Sequence, residues 1–135
     1  MLVIDASALF ESLTGSLRAG PINERLAADP DCAAPHLLDV EVFGIVRREL
    51  GRGRLDRTAA AQAIDDLRLW PGERFGHRSL LARAWELRDN VRSWDAMYVA
   101  LAEALEAVLI TTDLRLARAT GPTCVIECLT LPEGG

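Results

Sequence analysis

Two acidic residues follow apolar stretches that have the composition of buried strands. Asp5 ends the run Leu2-Val3-Ile4, and Asp113 follows the run Val108 to Thr112. In parallel sheets, ligands bind at the carboxyl ends of the strands. We therefore expect the Asp5 and Asp113 carboxylates to lie at the same edge of one sheet.

Two further acids, Glu41 and Asp95, belong to predicted helices. On a helix, Glu41 has no cationic neighbour three or four positions away, because those positions hold Leu37, Leu38, Gly44 and Ile45. An unpaired carboxylate on an apolar flank is costly to bury, so either the helix edge reaches solvent or a cation from elsewhere compensates. Asp95 lies in the first turn of a helix. Asp39 precedes Glu41 by two residues, and the spacing alone does not exclude that it takes the role of Glu41.

Together the four acids indicate a divalent cation site. Converging carboxylates repel one another unless a cation holds them, and Mg²⁺ takes oxygen ligands. Such a site can activate water and neutralise a phosphate. Ser7 and Thr112 lie beside the acids, and their hydroxyls could orient a carboxylate or a metal-bound water. Their ordinary alternative is local backbone hydrogen bonding.

Each acid also has an ordinary structural explanation. Asp5 and Asp113 suit turns or helix N-caps, and Asp95 suits the positive end of a helix dipole. Asp39 and Glu49 are expected to be solvated surface acids. The apolar positions that follow Asp95 are expected to be core; they are Trp94, Met97, Tyr98, Leu101 and Leu105.

Composition excludes several classes of site. The 135 residues carry a net charge of −5, and all 15 basic residues are arginine. Without lysine, neither a P-loop nor a Schiff base can form. His36 and His77 are too few and too isolated for a zinc or Ser-His-Asp site. Cys32, Cys124 and Cys128 contain no CxxC pair, and we expect them to be reduced core residues.

The hydrophobic pattern predicts strands that alternate with helices, and hence a parallel sheet covered on both faces. The first strand is 2–4, and later strands are expected at 32–35, 107–111 and 124–129, with an ambiguous one at 74–77. Helices are expected at 7–13, 21–28, 36–50, 56–69, 79–88, 93–106 and 114–119. We expect Ser93 to cap the helix that carries Asp95. Neither a signal peptide nor a membrane span is expected, which predicts a cytoplasmic protein without membrane contact.

Four segments carry a family resemblance that runs essentially from end to end of the chain. They are Val3-Ile4-Asp5-Ala6-Ser7-Ala8-Leu9, then Leu37-Leu38-Asp39-Val40-Glu41-Val42, then Trp94 to Glu103, then Leu109 to Ala117. In this order they resemble the PIN domain family, and specifically the VapC-type toxins of toxin–antitoxin pairs. The Asp-Ala-x-Tyr-x-Ala-Leu-Ala run from Asp95 is the most specific of them.

The resemblance implies one three-layer α/β/α PIN-like domain over residues 1–135, with a parallel sheet of about five strands. It implies that Asp5, Glu41, Asp95 and Asp113 are catalytic and bind metal, with Ser7 and Thr112 in support. The implied activity is Mg²⁺-dependent endoribonuclease cleavage of tRNA or rRNA, in which Mn²⁺ can substitute. The implied partners are an RNA substrate, a VapB-like antitoxin and a second copy of the chain in a homodimer.

Two other functions remain open. A catalytically weak PIN-fold protein would bind RNA or a partner without cutting it, although all four acids are present. A nuclease acting on DNA is less favoured, because the chain lacks long insertions. The arginines that could hold flanking phosphates are Arg47, Arg48, Arg52, Arg54 and Arg92.

Overall fold

A computed structural model describes residues 1–130 of the chain, and residues 131–135 of the expected domain lie outside the described part. Five parallel strands form one sheet in the order β3-β2-β1-β4-β5. The strands are β1 (Leu2–Ile4), β2 (Cys32–Pro35), β3 (Glu73–Phe75), β4 (Val108–Thr111) and β5 (Ile126–Cys128). The predicted five-stranded α/β fold is confirmed.

The central strand β1 is fully buried because it has a strand on each side. Leu2 lies opposite Cys32 of β2 and opposite Val108 of β4. From β1 the chain adds β2 and β3 to one side and later adds β4 and β5 to the other. The strand order therefore reverses beside β1, and a crevice opens at the carboxyl ends of β1 and β4.

Helices cover the sheet in two groups. The seven helices are α1 (Ala6–Thr14), α2 (Ala19–Ala28), α3 (Leu37–Gly51), α4 (Arg57–Leu69), α5 (Leu81–Glu86), α6 (Ser93–Leu105) and α7 (Leu114–Ala117), with a 3₁₀ turn at Arg78–Leu80. Helices α1 to α4 pack on one another, and α6 packs against β1, β2, β4 and α5. No helix within residues 1–130 is both long and apolar enough to cross a bilayer.

Several helix boundaries show why the sequence folds locally as it does. Asp5 and Asp56 cap α1 and α4, each accepting a backbone N–H three residues ahead. Helix α1 ends at Gly15, whose φ of 62° is left-handed. Helix α2 begins at Ala19 rather than Pro21, because a proline in the first turn removes an N–H that has no partner inside the helix. The cap prediction for Ser93 was wrong: the N-cap is Arg92, and Ser93 is the first helical residue.

Strand β3 was the least certain element in the sequence, and Arg74 explains its position. The Arg74 guanidinium pairs with Asp39 through two hydrogen bonds of 3.0 and 3.3 Å and donates to the carbonyls of Leu67, Trp70 and Gly72. It also lies 4.8 Å from the Trp70 ring centroid. These contacts connect the strand to the end of α4 and to the start of α3. They stabilise the pairing of β3 with β2, although β3 is only three residues long.

Candidate active site

Asp5 lies at the centre of the crevice and is 5% exposed. Its Oδ1 accepts hydrogen bonds from Ser7 Oγ at 2.7 Å and from Ala8 N at 3.0 Å, and its Oδ2 accepts one from Thr111 Oγ1. Burial raises the pKa of Asp5, and the nearby Asp113 raises it further, while these hydrogen bonds lower it. The carboxylate is held by neutral donors rather than by a cation.

Three hydroxyl groups connect β1 to the end of β4. Thr112 Oγ1 donates to Ser7 Oγ at 2.9 Å, and Thr112 N approaches the same oxygen at 3.3 Å. Thr111 is fully buried, and its Oγ1 also accepts the backbone N–H of Asp113 at 3.0 Å. Ser7 and Thr112 were singled out in the sequence, whereas Thr111 was missed because it continues an apolar strand.

Glu41 on α3 is half-buried and faces the crevice without a basic partner. Tyr98 Oη on α6 donates to Glu41 Oε1 at 2.8 Å, so the partner that compensates the carboxylate is a neutral hydroxyl rather than a cation. Burial raises the pKa of Glu41 to about 7, with further contributions from Asp95 and Asp5. Asp39 faces away and pairs with Arg74, which removes it as a substitute for Glu41.

Asp95 lies in the first turn of α6, partly buried. Burial, followed by the charges of Asp5 and Asp113, raises the pKa of Asp95 to about 6, while Arg92 and Arg115 lower it. Asp113 caps α7, because its Oδ1 accepts Arg115 N at 2.9 Å. The Arg115 side chain approaches the same oxygen at 3.6 Å. The cap role and the site role of Asp113 are therefore compatible.

The four predicted acids thus share one crevice, and each interacts electrostatically with at least one other. Within residues 1–130, Asp5, Glu41 and Asp95 form no ion pair within 4 Å. A cavity of about 110 Å³ opens here, lined by Asp95 and Asp113 together with Arg92 and Arg115. Excess negative charge in a crevice is an environment that favours a cation.

The donor set fits a hard divalent cation with water in its shell. All four side chains offer oxygen, which Mg²⁺ and Mn²⁺ accept. No three Asp, Glu, His or Cys side chains within residues 1–130 converge closely enough to hold an ion by themselves. A hard divalent cation such as Mg²⁺ does not require three converged side chains, because it usually binds one or two carboxylates and keeps several waters.

Other expectations from the sequence were corrected by the structure. Trp94 is 63% exposed and not core, whereas Tyr98 is buried as predicted and has a polar partner that was missed. Asp39 and Glu49 are not free surface acids. Asp39 pairs with Arg74, and Glu49 is flanked by the guanidinium groups of Arg48 and Arg54.

The histidines and cysteines lie outside the acidic cluster. His77 Nε2 accepts the Leu37 N–H, a structural role as expected. The three cysteines are free, as predicted, but each is only partly buried. Cys124 precedes β5 instead of lying in it.

Comparison with known proteins gives one consistent result. A family model described as PIN domain matches residues 2–122. The chain is 38% identical to Ribonuclease VapC1 of Mycobacterium tuberculosis over 126 residues, which is 93% of this chain and 95% of that protein. It is 43% identical to Ribonuclease VapC3 of the same organism over 119 residues, covering 87% and 86%.

A solved structure supports the fold at lower identity. The structure of VapBC2 from Rickettsia felis bound to a promoter DNA fragment contains a chain that superposes on this one with a TM-score of 0.66. The two chains are 15% identical, and the superposition covers 93% of this chain and 96% of the other. With the family match and the curated relatives, the conclusion is direct: this chain belongs to the PIN domain family, among the VapC ribonucleases.

Proposed function

We propose that this protein is a metal-dependent endoribonuclease toxin that hydrolyses phosphodiester bonds in RNA. The observation that carries the proposal is the group of four acids at the carboxyl ends of β1 and β4, three of which have no cationic partner within the described residues. The names of the relatives VapC1 and VapC3 as ribonucleases support the same activity. We further propose Mg²⁺ as the ion, with Mn²⁺ as a substitute.

The chain's own residues fix the site before a ligand arrives. Ser7 and Thr111 hold the two oxygens of Asp5, and Tyr98 holds Glu41. Partners of this kind orient a ligating carboxylate and reduce the reorganisation needed on binding. A divalent cation bound among the carboxylates supplies an activated water and neutralises charge on a phosphate. We assign metal binding to the group Asp5, Glu41, Asp95 and Asp113, with waters between the ion and those carboxylates that do not reach it directly.

Two arginines at the crevice suit an anionic substrate. Arg92 and Arg115 both interact with Asp95, and both line the cavity that contains Asp95 and Asp113. Arginine presents a planar fork of donors that matches a phosphate group. We propose that they hold phosphates of the RNA beside the cleaved bond. Of the five arginines considered in the sequence, Arg92 has the clearest position for this role, and Arg115 was missed.

The decisive experiment is cleavage of a tRNA and rRNA pool by the purified protein, free of any antitoxin. We expect discrete fragments with Mg²⁺ or Mn²⁺, none with EDTA, and none from the Asp95→Ala variant. Asp89→Ala is the matched control, because the Asp89 side chain is exposed and forms no side-chain hydrogen bond within residues 1–130. Equal cleavage by wild type and Asp95→Ala would contradict the proposal. Metal-dependent RNA binding without cleavage would favour the catalytically weak binder instead.

We also propose a protein partner that covers the surface between α3 and α4. Two adjoining cavities of about 440 and 270 Å³ share Phe43 and Ile64 there. Val40 and Phe43 are 73% and 49% exposed. Together they form an exposed apolar patch, which in soluble proteins often marks a surface that binds a partner. Arg47, Arg57 and Arg68 also line these cavities. An amphipathic segment with acidic flanks complements such a surface.

An antitoxin of the VapB kind fits this description, and the Rickettsia felis structure is of a VapBC pair. The test is to look for a small open reading frame next to this gene and to co-express its product with this protein. Phe43→Asp should abolish co-purification, while Leu17→Asp, at a position 87% exposed elsewhere, should not. Sedimentation velocity of both variants tests for the homodimer that the family resemblance implies. Loss of the dimer in Phe43→Asp would place the second copy of the chain, and not the antitoxin, on this surface.

A further inference from the structure

A second cavity shares a wall with the acidic crevice. It has a volume of about 300 Å³, and Trp85, Arg88 and Met97 are among the residues that line it. Val91 and Arg92 line both this cavity and the smaller one that contains Asp95 and Asp113. A group bound in the larger cavity would therefore lie directly beside the site at which a phosphate would be cleaved.

Trp85 gives this cavity an exposed aromatic surface. The residue is 67% exposed although it belongs to a helix that packs on α6. The Arg88 guanidinium lies 4.4 Å from the Trp85 ring centroid, and its Nη1 donates to the Trp85 carbonyl at 2.9 Å. Arg88 therefore covers one face of the Trp85 ring by a cation–π contact, and the exposed remainder of the ring is a surface on which a nucleobase can stack.

The charge of the cavity favours an anionic chain over a second copy of the protein. Its lining contains two arginines, Arg88 and Arg92, and no acid. In a two-fold dimer whose axis passes through this cavity, the arginines of the two copies would approach one another. An RNA strand would instead place a phosphate against Arg92 and a base against Trp85.

We propose that this cavity is a nucleobase subsite for a nucleotide adjacent to the cleaved phosphodiester, with the base stacking on the face of the Trp85 ring that Arg88 does not cover. The inference rests on the proposed ribonuclease function and adds the substrate class, since a base must be unstacked to enter. The protein would therefore prefer single-stranded or looped RNA to a continuous duplex. Arg92, in the shared wall, would contact the phosphate that links the two positions.

The test measures binding separately from cleavage. Fluorescent octauridylate and octaadenylate are titrated in Mg²⁺ against proteins that all carry Asp95→Asn, so that the RNA stays uncut. Stacking on an aromatic side chain contributes about 1–3 kcal/mol per base, so Trp85→Ala should weaken binding by about 5-fold to 150-fold. Trp85→Phe should retain most of the affinity. Leu69→Ala, at an apolar position 76% exposed, is the control and should bind normally.

Inorganic polyphosphate is the second probe, because it has the charge of RNA without bases. Its affinity should be unchanged by Trp85→Ala and reduced by Arg92→Ala. Equal RNA affinity with and without the Trp85 ring, or equal loss for RNA and polyphosphate, would overturn the subsite. Dissociation of a dimer by Trp85→Ala in sedimentation velocity would show instead that the cavity is an interface.

Failure of the subsite and failure of the ribonuclease proposal are distinguishable. If the otherwise wild-type protein cleaves RNA and Trp85→Ala cleaves at an equal rate and with the same preference, the ribonuclease proposal stands and the subsite is wrong. If no RNA is cleaved but RNA affinity still depends on the Trp85 ring, the subsite stands on a protein that binds RNA without cutting it.

Discussion

At the scale of single residues, Thr111 connects two of the acids. Its buried hydroxyl donates to Asp5 and accepts the N–H of Asp113. Thr111→Val keeps the shape and leaves both groups without this partner, which costs about 1–3 kcal/mol in the free energy of unfolding. We expect lower stability in urea and a loss of RNA cleavage.

The control for Thr111 is Thr111→Ser, which keeps the hydroxyl and removes only a methyl group. It should restore cleavage to within a few-fold of wild type, with a smaller loss of stability from the cavity. A Val variant as active as the Ser variant would show that the hydroxyl does not position Asp5.

Asp95 makes the stability of the metal-free protein depend on pH. Its folded pKa of about 6 lies above its ordinary value of 3.8. Between these values the folded protein retains a proton that the unfolded chain releases, so the free energy of unfolding falls as the pH rises through this window and stays lower above it. Asp95→Asn removes this penalty. In EDTA we expect the variant to melt above wild type at pH 8.

The same melts at lower pH supply the internal check. The advantage of Asp95→Asn should shrink as the pH falls from 6 towards 4, since wild-type Asp95 then becomes neutral. Asp89→Asn removes an exposed charge and should show no comparable pH-dependent gain. A variant that melts below wild type at pH 8 would contradict the penalty that burial, together with the charges of Asp5 and Asp113, imposes on the Asp95 carboxylate.

At the scale of secondary structure elements, Arg74 holds β3 in the sheet. Its guanidinium is mostly buried, pairs with Asp39 and donates hydrogen bonds to three backbone carbonyl groups. Arg74→Ala should reduce the free energy of unfolding by about 2 kcal/mol or more, because buried acceptors lose their donor. Arg74→Lys keeps the charge but not the planar fork and should also destabilise. Urea denaturation measures both variants.

Arg68 provides the matched comparison on the neighbouring helix. It pairs with Asp65, and both side chains are more than half exposed. Removal of such a surface pair usually changes stability by less than about 1 kcal/mol. If Arg68→Ala and Arg74→Ala destabilise equally, the network around Arg74 does not hold β3.

The elements also show what the sequence can and cannot predict. Strands β1 and β4 were predictable because each is a short apolar run ended by an acid, and this placed Asp5 and Asp113 correctly. Tyr98 and Thr111 were not recognised as polar partners, because their contacts join segments 57 and 106 residues apart. Trp94 was assigned to the core from helical spacing. The spacing shows which residues share a face of the helix, but it does not show where along the helix that face stops being covered by the rest of the protein.

At the scale of the whole molecule, the proposed function requires an acidic protein to bind a polyanion. The net charge is −5, and four of the carboxylates that contribute to it lie in the crevice, where a phosphate would bind. Local arginines and a divalent cation offset this charge only at the site itself. Metal binding and RNA binding should therefore be strongly coupled, with weak RNA affinity in EDTA.

The same charge imbalance predicts that metal stabilises the fold. A ligand that binds only the folded state at one hundred times its dissociation constant adds about 2.7 kcal/mol. For a chain of this size, that corresponds to a rise in melting temperature of about 10 °C. We expect millimolar Mn²⁺ or Mg²⁺ to produce a rise of this order at pH 8, and NaCl of equal ionic strength to produce much less.

The variant Glu41→Gln with Asp95→Asn decides where the ion binds. Two of the four carboxylates become neutral amides, so the metal-dependent rise should be lost, while the metal-free melting temperature should exceed that of wild type. Both effects follow from the same charged groups, since carboxylates that are half-buried and close to one another destabilise the empty crevice and attract the cation. A double variant that retains the full rise would place the cation elsewhere on the protein and separate metal stabilisation from the acids at the ends of β1 and β4.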